Sequence, residues 1–257
     1  MRRAMTTSLR EGWLSVVLLL AWWAASRNSE SFYFPPLTEI LMRFQELWLF
    51  DHAVSDVWPS LRSLTLAMLT SIVIAVPVGV VLGVWPRAYK VLEPMLTFVW
   101  AIPKIALFPA FIALMGITSG MQITYVVMGT LWPILLGTID GVRAIDLTVS
   151  DTMYAYRVKK WTMFSRVLMP GAAPQIVAGV RTSLAIGLVL VIVGEMLATA
   201  QGLGYFVLQA QQSYAMADMW AGALLVGLIG YGINLLFSIF ERYVLAWHIA
   251  RRAAHAS

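Results

Sequence analysis

The stretch DTMYAYRVKKWTMFSRVLMP, residues Asp151 to Pro170, is polar, basic and aromatic, and long apolar segments flank it on both sides. Its neighbours at 121–139 and 176–199 are each long enough to cross a bilayer as a helix, which takes about 20 mostly apolar residues. A chain that is nearly all membrane has thus kept one long, structured loop. That layout makes the fold all-helical and polytopic, and it makes the loop a place of contact.

The composition agrees. Of 257 residues, 60% are hydrophobic and 12% charged, and the mean hydropathy is +0.78. A soluble domain carries about a quarter charged residues. Working outward from the loop gives six spans, at 12–26, 61–84, 94–116, 121–139, 176–199 and 219–241, in one transmembrane domain covering 1–257. The first follows a basic start (Arg2, Arg3, Arg10) and resembles a signal peptide; Trp22 and Trp23, with no clean small-residue cleavage site, favour a retained anchor.

Lys and Arg orient the chain. They gather at the N-terminus, in an 85–93 loop (Arg87, Lys90), in the 140–175 loop (Arg143, Arg157, Lys159, Lys160, Arg166) and at the C-terminus (Arg242, Arg251, Arg252). Six spans put all four regions on one side, the cytoplasmic one, with both ends of the chain. The net charge of +5 is spread over these ends rather than gathered in one patch, so nucleic acid is not an expected partner. On the opposite side, Leu37, Ile40, Leu41, Phe44 and Leu47 recur at helical spacing with Thr38 as a cap. That segment reads as an interfacial amphipathic helix or as a packed connector. The pairs Gly79/Gly83 and Gly137/Gly141 permit close helix approach without fixing which helices meet.

Enzyme chemistry finds no purchase. There is no cysteine, His52, His248 and His255 are scattered, and no Walker A or G-x-S-x-G motif occurs, so neither a metal centre nor a cofactor is expected in this chain. Three passages remain. In the loop, 147–158 is long enough for one helix with Asp146 at its start. Lys159 and Lys160 break the pattern, Trp161, Phe164, Val167 and Leu168 resume it, and Pro170-Gly171 ends it. Tyr154, Ala155 and Tyr156 would lie between two short helices, flanked by cations. They suit a groove on a partner, or they hold the loop to anionic lipid. In the third span, Pro103 and Pro109 bracket Lys104. Proline frees backbone carbonyls, and broken helices persist at membrane depth where they are buried or line a cavity. Lys104 lies roughly ten residues, about 15 Å, into its span. It faces a translocation path where it attracts anions, or it snorkels or pairs with a carboxylate. Glu195, within VLVIVGEMLATA, is an intramembrane carboxylate. It belongs to the path or, the more favoured reading, is a structural partner to a backbone amide or to a cation on a second subunit. Residues 202–218 form a polar-aromatic outer segment that is either a lid or a surface helix.

The loop resembles the "EAA" loop of ABC-importer permeases of the binding-protein-dependent type. Asp151-Thr152-Met153 stands where Glu-Ala-Ala would be, Arg157 where Gly would be, and Val167-Leu168-Met169-Pro170 where the ending would be. Tyr154-Ala155-Tyr156, Trp161, the run Pro170 to Pro174 with Gly179 and Arg181, IPKIALFP from Ile102 to Pro109, VIVGEM around Glu195 and Gly202-Leu203-Gly204-Tyr205 are similar to the nitrate/taurine/sulfonate branch. The resemblance covers roughly 55–245.

It implies the type I ABC-importer permease fold in a bacterial inner membrane. It also implies two copies of an ATP-binding subunit, which bind ATP and magnesium, a second permease copy or paralogue, and an extracytoplasmic solute-binding protein, with membrane lipid around them. Asp151, Tyr154, Ala155, Tyr156, Arg157 and Trp161 would dock the ATPase; Pro103, Lys104, Pro109 and Glu195 would line the path. The implied solute is a small anion such as a sulfonate, taurine or nitrate. A heterocyclic vitamin precursor is the alternative within the branch, and a proton- or ion-coupled secondary carrier the alternative outside it. Arginine accepts a left-handed backbone poorly, so the departure at Arg157 predicts that the loop turn is right-handed or placed elsewhere.

Overall fold

The apolar runs have no polar backbone partner in a bilayer except themselves, and they fold as helices that close their own hydrogen bonds. The computed structural model describes residues 13, 17, 19–27, 29, 31–48, 53–146, 148, 152–153 and 155–246. Among them every regular element is helical. Residues 19–26 are helical, and the rest of the expected first span lies almost wholly outside the described residues. The helices that follow are α1 (Leu37–Glu46), α2 (Trp58–Val84), α3 (Pro86–Ala101), α4 (Phe108–Met115), α5 (Ser119–Arg143), α6 (Lys160–Ala198), α7 (Leu203–Gln212) and α8 (Met216–Val244).

Four of these segments, Val54–Val84, Ser119–Arg143, Lys160–Ala198 and Met216–Val244, are long and apolar enough to cross a membrane. The pair α3 and α4 makes a fifth if counted as one span, bent by 84°. The ends of the helices show that it passes along the bundle once. Ser60, at the start of α2, bonds Glu195, near the end of α6, and Gln122, at the start of α5, lines the same cavity as both helix ends. At the other pole Gly83 meets Val142, and Gly141 meets Ala172. The chain leaves α2 at one pole and enters α5 at the other, so residues 85–118 traverse the bundle once.

α5 is the hub. Gly79 and Gly83 bring α2 against it, where an added Cβ would lie 2.6 Å from Thr138 and 2.7 Å from Val142. Gly179 of α6 sits on the Pro133 carbonyl, with an added Cβ 2.5 Å from that oxygen. The helices approach this closely because dispersion, rather than water exclusion, holds helices together in lipid. At the centre Ser71 and Thr130 share a hydroxyl bond of 2.6 Å, and Ser183 donates to the Thr130 carbonyl at 2.6 Å. Three helices are thus tied by polar groups satisfied among themselves.

Several expectations need correction. The 85–93 segment is the first half of α3 rather than a loop, because Pro86 at its N-terminus starts a helix with a φ already suited to it. Pro170-Gly171 does not end a helix: α6 runs 39 residues through it. A π-helical turn at Phe164–Leu168 precedes Pro170, with Met169 N–H bonding Phe164 O, and this widened turn accommodates a proline that has no N–H of its own. Thr38 is not a cap; α1 starts at Leu37, with Pro36 in the capping place and no side-chain cap. α1 packs with Ile40 and Leu37 buried, and its Arg43 pairs with Asp218 of α8 at 2.5 Å and with Glu46. Those carboxylates hold Arg43 above its ordinary pKa, Asp218 foremost through its hydrogen bond.

Candidate functional site: the loop, the broken span and the Glu195 latch

In the 144–159 loop, Asp146 Oδ1 accepts the Thr148 N–H at 2.8 Å, the bond of a helix cap, and it holds that carboxyl below the usual range. Thr152, Met153 and Ala155 are helical; Asp151 and Tyr154 lie outside the described residues. The helix closes with Tyr156 N–H on Thr152 O and Val158 N–H on Met153 O, both at 3.0 Å. The second is the 6→1 bond of a Schellman cap, whose left-handed position is Arg157. Arg157 has φ +50. The turn is therefore left-handed and sits where the family pattern has glycine, contrary to the expectation from Arg157. The cap bonds offset the steric cost of a Cβ there, about 1–2 kcal/mol. Beyond the turn α6 starts at Lys160. Tyr156 and Trp161 are 80% and 75% exposed, and Trp161 stacks on Phe164 at 5.6 Å.

The broken span follows from Pro103, which biases the residue before it out of the helical region; Ile102 is extended, with φ −64 and ψ 127. This leaves the last carbonyls of α3 bare. Lys104 turns back and donates Nζ to Val99 O at 2.9 Å, Trp100 O at 2.7 Å and Ile102 O at 2.8 Å, with the Trp100 ring 5.2 Å away. A cation at the negative end of a helix dipole is well placed. Pro109 occupies the first turn of α4. Phe108, fully buried, meets Tyr125 of α5 edge-on at 4.8 Å.

Glu195 is 1% exposed. Its Oε2 accepts Ser60 Oγ at 2.8 Å and Gly204 N–H at 3.0 Å. Leu203 N–H bonds Ser60 Oγ at 3.0 Å, and Gly202 N–H reaches Asp56 Oδ1 at 3.4 Å. The amides at the N-terminus of α7 are satisfied in this way by groups from α2, from the Ala53–Val57 turn before it and from α6. Gly202 has φ +108, and a Cβ there would lie 2.6 Å from both Glu195 oxygens, so the chain folds directly over the carboxylate. Ser60, Asp56 and Gln122 carried no signal in the sequence. VIVGEM and GLGY are legible as motifs but not as partners. A cavity of about 440 Å³ opens beside this latch, lined by Arg62, Leu66, Thr118, Gln122, Glu195 and Gln201 among others. Pro103, Lys104 and Pro109 thus share one joint, and Glu195 lies at the pole where α2 and α5 begin. No hydrogen bond or ion pair joins Lys104 to Glu195. Among the described residues no group of three or more His, Asp or Glu is placed to hold a metal ion.

The model of the family described as binding-protein-dependent transport system inner membrane component matches residues 75–247. A probable ABC transporter permease protein of Brucella melitensis is 27% identical over 95% of this chain and 99% of its own length. The putative aliphatic sulfonates transport permease protein of Bacillus subtilis is 25% identical over 83% of this chain and 77% of its own length. The taurine transport system permease protein of Escherichia coli is 24% identical over 90% and 87%. Among solved structures, the MetNI methionine ABC transporter in inward facing conformations superposes with a TM-score of 0.63 and 22% identity, covering 74% of this chain and 94% of that one.

Proposed function

Because this chain belongs to the family of binding-protein-dependent transport system inner membrane components, we propose that it is the membrane-spanning subunit of an ATP-driven importer of small anions, of the sulfonate and taurine kind. The observation that carries the reading is the family match over 75–247, which takes in the broken span, the capped loop and α8 in one continuous block. Relatives named for aliphatic sulfonates and taurine supply the substrate class.

The chain carries no Walker A motif, so ATP hydrolysis falls to an ATP-binding subunit, present in two copies. A second permease copy or paralogue and an extracytoplasmic solute-binding protein complete the assembly. The protein spans the inner membrane six times, with 12–26 as the first span and the basic pole of the bundle, including both termini, in the cytoplasm. The 144–159 loop docks the ATPase through Asp151, Tyr154, Ala155, Tyr156, Arg157 and Trp161. Exposed rings beside a small residue are the anchors such grooves take. The joint at Pro103, Lys104 and Pro109 borders the path and flexes with ATP-driven closure, and Glu195 holds the outer pole together beside it.

The test is extraction of the tagged chain in detergent, with identification of co-purifying polypeptides and an ATPase assay on the eluate. A stoichiometric ATPase is the expected result. A lone, stable polypeptide without ATPase activity overturns the importer reading in favour of a secondary carrier. Within the complex, Ala155→Arg should abolish uptake while leaving membrane insertion intact.

A further inference from the structure

α3 is held at its ends rather than along its length. None of its residues is buried, and it leans on the bundle core through Ala88, Tyr89 and Leu96. α2, α5 and α6 are locked to one another by glycine contacts that leave no room for a Cβ. Among the described residues no hydrogen bond or ion pair joins α3 to any of the three. A backbone break bounds it on each side: Trp85, with φ −113 and ψ 82, and Ile102, with φ −64 and ψ 127. Between the breaks it stays helical through Pro94 for 16 residues, about 24 Å at the usual rise. A helix bounded in this way tilts about its ends without opening a packed core.

A cation sits at each end of this helix. At the joint, Lys104 Nζ holds the Val99, Trp100 and Ile102 carbonyls. At the other end Arg143 lays its guanidinium 4.2 Å from the centre of the Tyr89 ring. Tyr89 in turn donates its hydroxyl to Glu93, one turn along α3, at 3.3 Å. Arg143 is the last residue of α5, and the 144–159 loop begins immediately after it. It makes no hydrogen bond or ion pair with a described residue, so the Tyr89 face is its contact. Two residues further on, Ile145 packs on α6, where an added Cβ at Gly171 would lie 3.1 Å from its Cγ1 and Cδ1. The base of the loop is therefore gripped on one side by the locked bundle, and on the other it touches the start of α3. A cation is drawn to the whole face of an aromatic ring rather than to one lone pair, so this contact survives a shift that would break a hydrogen bond.

We propose that Arg143 is a positioning residue for transport: through the Tyr89 ring it couples the base of the ATPase-docking loop to α3, and loop movement tilts α3 between its two breaks and works the joint at Pro103. This rests on the importer reading and adds to it the contact that carries loop movement to the broken span.

The test uses the full complex with its ATPase and binding protein in proteoliposomes, with taurine, ethanesulfonate and nitrate as probes. Arg143→Gln and Tyr89→Leu should each lower the solute imported per ATP hydrolysed about fivefold, the size of one cation–ring contact at an exposed site. The double variant should lose no more than either alone, since both substitutions remove the same contact. Arg143→Lys and Tyr89→Phe, which keep a cation and a ring, should stay within about twofold of the wild type. The ATPase should copurify in full with every variant. The chain has no cysteine, so spin labels on Val91→Cys and Ser165→Cys, both exposed positions, report α3 against α6. Their separation should change on trapping with ATP and vanadate in the otherwise unaltered chain and stay fixed when Arg143→Gln is added. Wild-type coupling in both Arg143→Gln and Tyr89→Leu overturns the proposal and leaves the importer reading standing. So do additive losses in the double variant, a label pair that does not move on trapping, and a loss of uptake that merely follows the fraction of unfolded chain. A wild-type complex that holds no ATPase, or that imports none of the three probes, overturns both readings.

Discussion

Gly202→Ala tests the latch around Glu195 at its tightest point. Gly202 has φ +108 and ψ 165, a region essentially closed to side chains, and forcing alanine into it costs about 1–3 kcal/mol. The new Cβ would also lie 2.6 Å from Glu195 Oε1 and Oε2, and the buried carboxylate is held in place by Ser60 and Gly204. Either the carboxylate leaves Ser60 and Gly204, or the 199–203 turn lifts and strips the first amides of α7. Each buried group left without its partner costs about 1–3 kcal/mol. The combined effect is about 3–5 kcal/mol, which for a chain of this size lowers the unfolding midpoint by about 10 °C. The assay is thermal unfolding of the detergent-purified chain followed by tryptophan fluorescence. Gly227→Ala is the control, since an added Cβ there meets nothing within 4 Å. A drop of under about 3 °C for Gly202→Ala, or an equal drop for Gly227→Ala, refutes the argument that the turn is moulded on the carboxylate.

Arg157→Gly should stabilise the loop by about 1 kcal/mol by relieving the left-handed residue, read as slower hydrogen exchange at the Val158 amide. Lys104→Met leaves the Val99, Trp100 and Ile102 carbonyls bare; the expected cost is about 2 kcal/mol, with a broader distribution of spin-label distances across the α3–α4 break. Gly179→Ala should destabilise by about 2 kcal/mol, because its Cβ would meet the Pro133 carbonyl at 2.5 Å; normal thermal stability would mean that α5 and α6 yield there at no cost. A double-mutant cycle on Arg43 and Asp218 should return a coupling of only about 0.5–1 kcal/mol, since both side chains remain partly open to water.

Local chemistry made much of this legible. The apolar runs at 61–84, 121–139 and 219–241 each fall within one observed helix, and 176–199 overruns its helix by one residue, because burial in lipid depends on local composition alone. The break at Pro103 was readable because proline acts on its own backbone and that of its neighbour. The left-handed turn at Arg157 was misjudged: the residue disfavours it, and the deciding term is the bond from Val158 N–H to Met153 O, which residue preference does not contain. Pro170 was misjudged for a like reason, since a π turn one step earlier lets the helix pass.

The sequence by itself determined that this is an all-helical membrane protein, where its loop lies and which family pattern that loop follows. These properties are written in hydropathy, charge and short motifs, and each is a property of neighbours in the chain. Tertiary structure alone decided that Lys104 caps the broken helix, that Glu195 finds Ser60 across 135 residues, and that Phe108 of α4 packs edge-on against Tyr125 of α5. Hydrogen bonds act over about 3 Å of space whatever the separation in sequence, so only the packing of α2, α5 and α6 could say which groups meet and which go unmet.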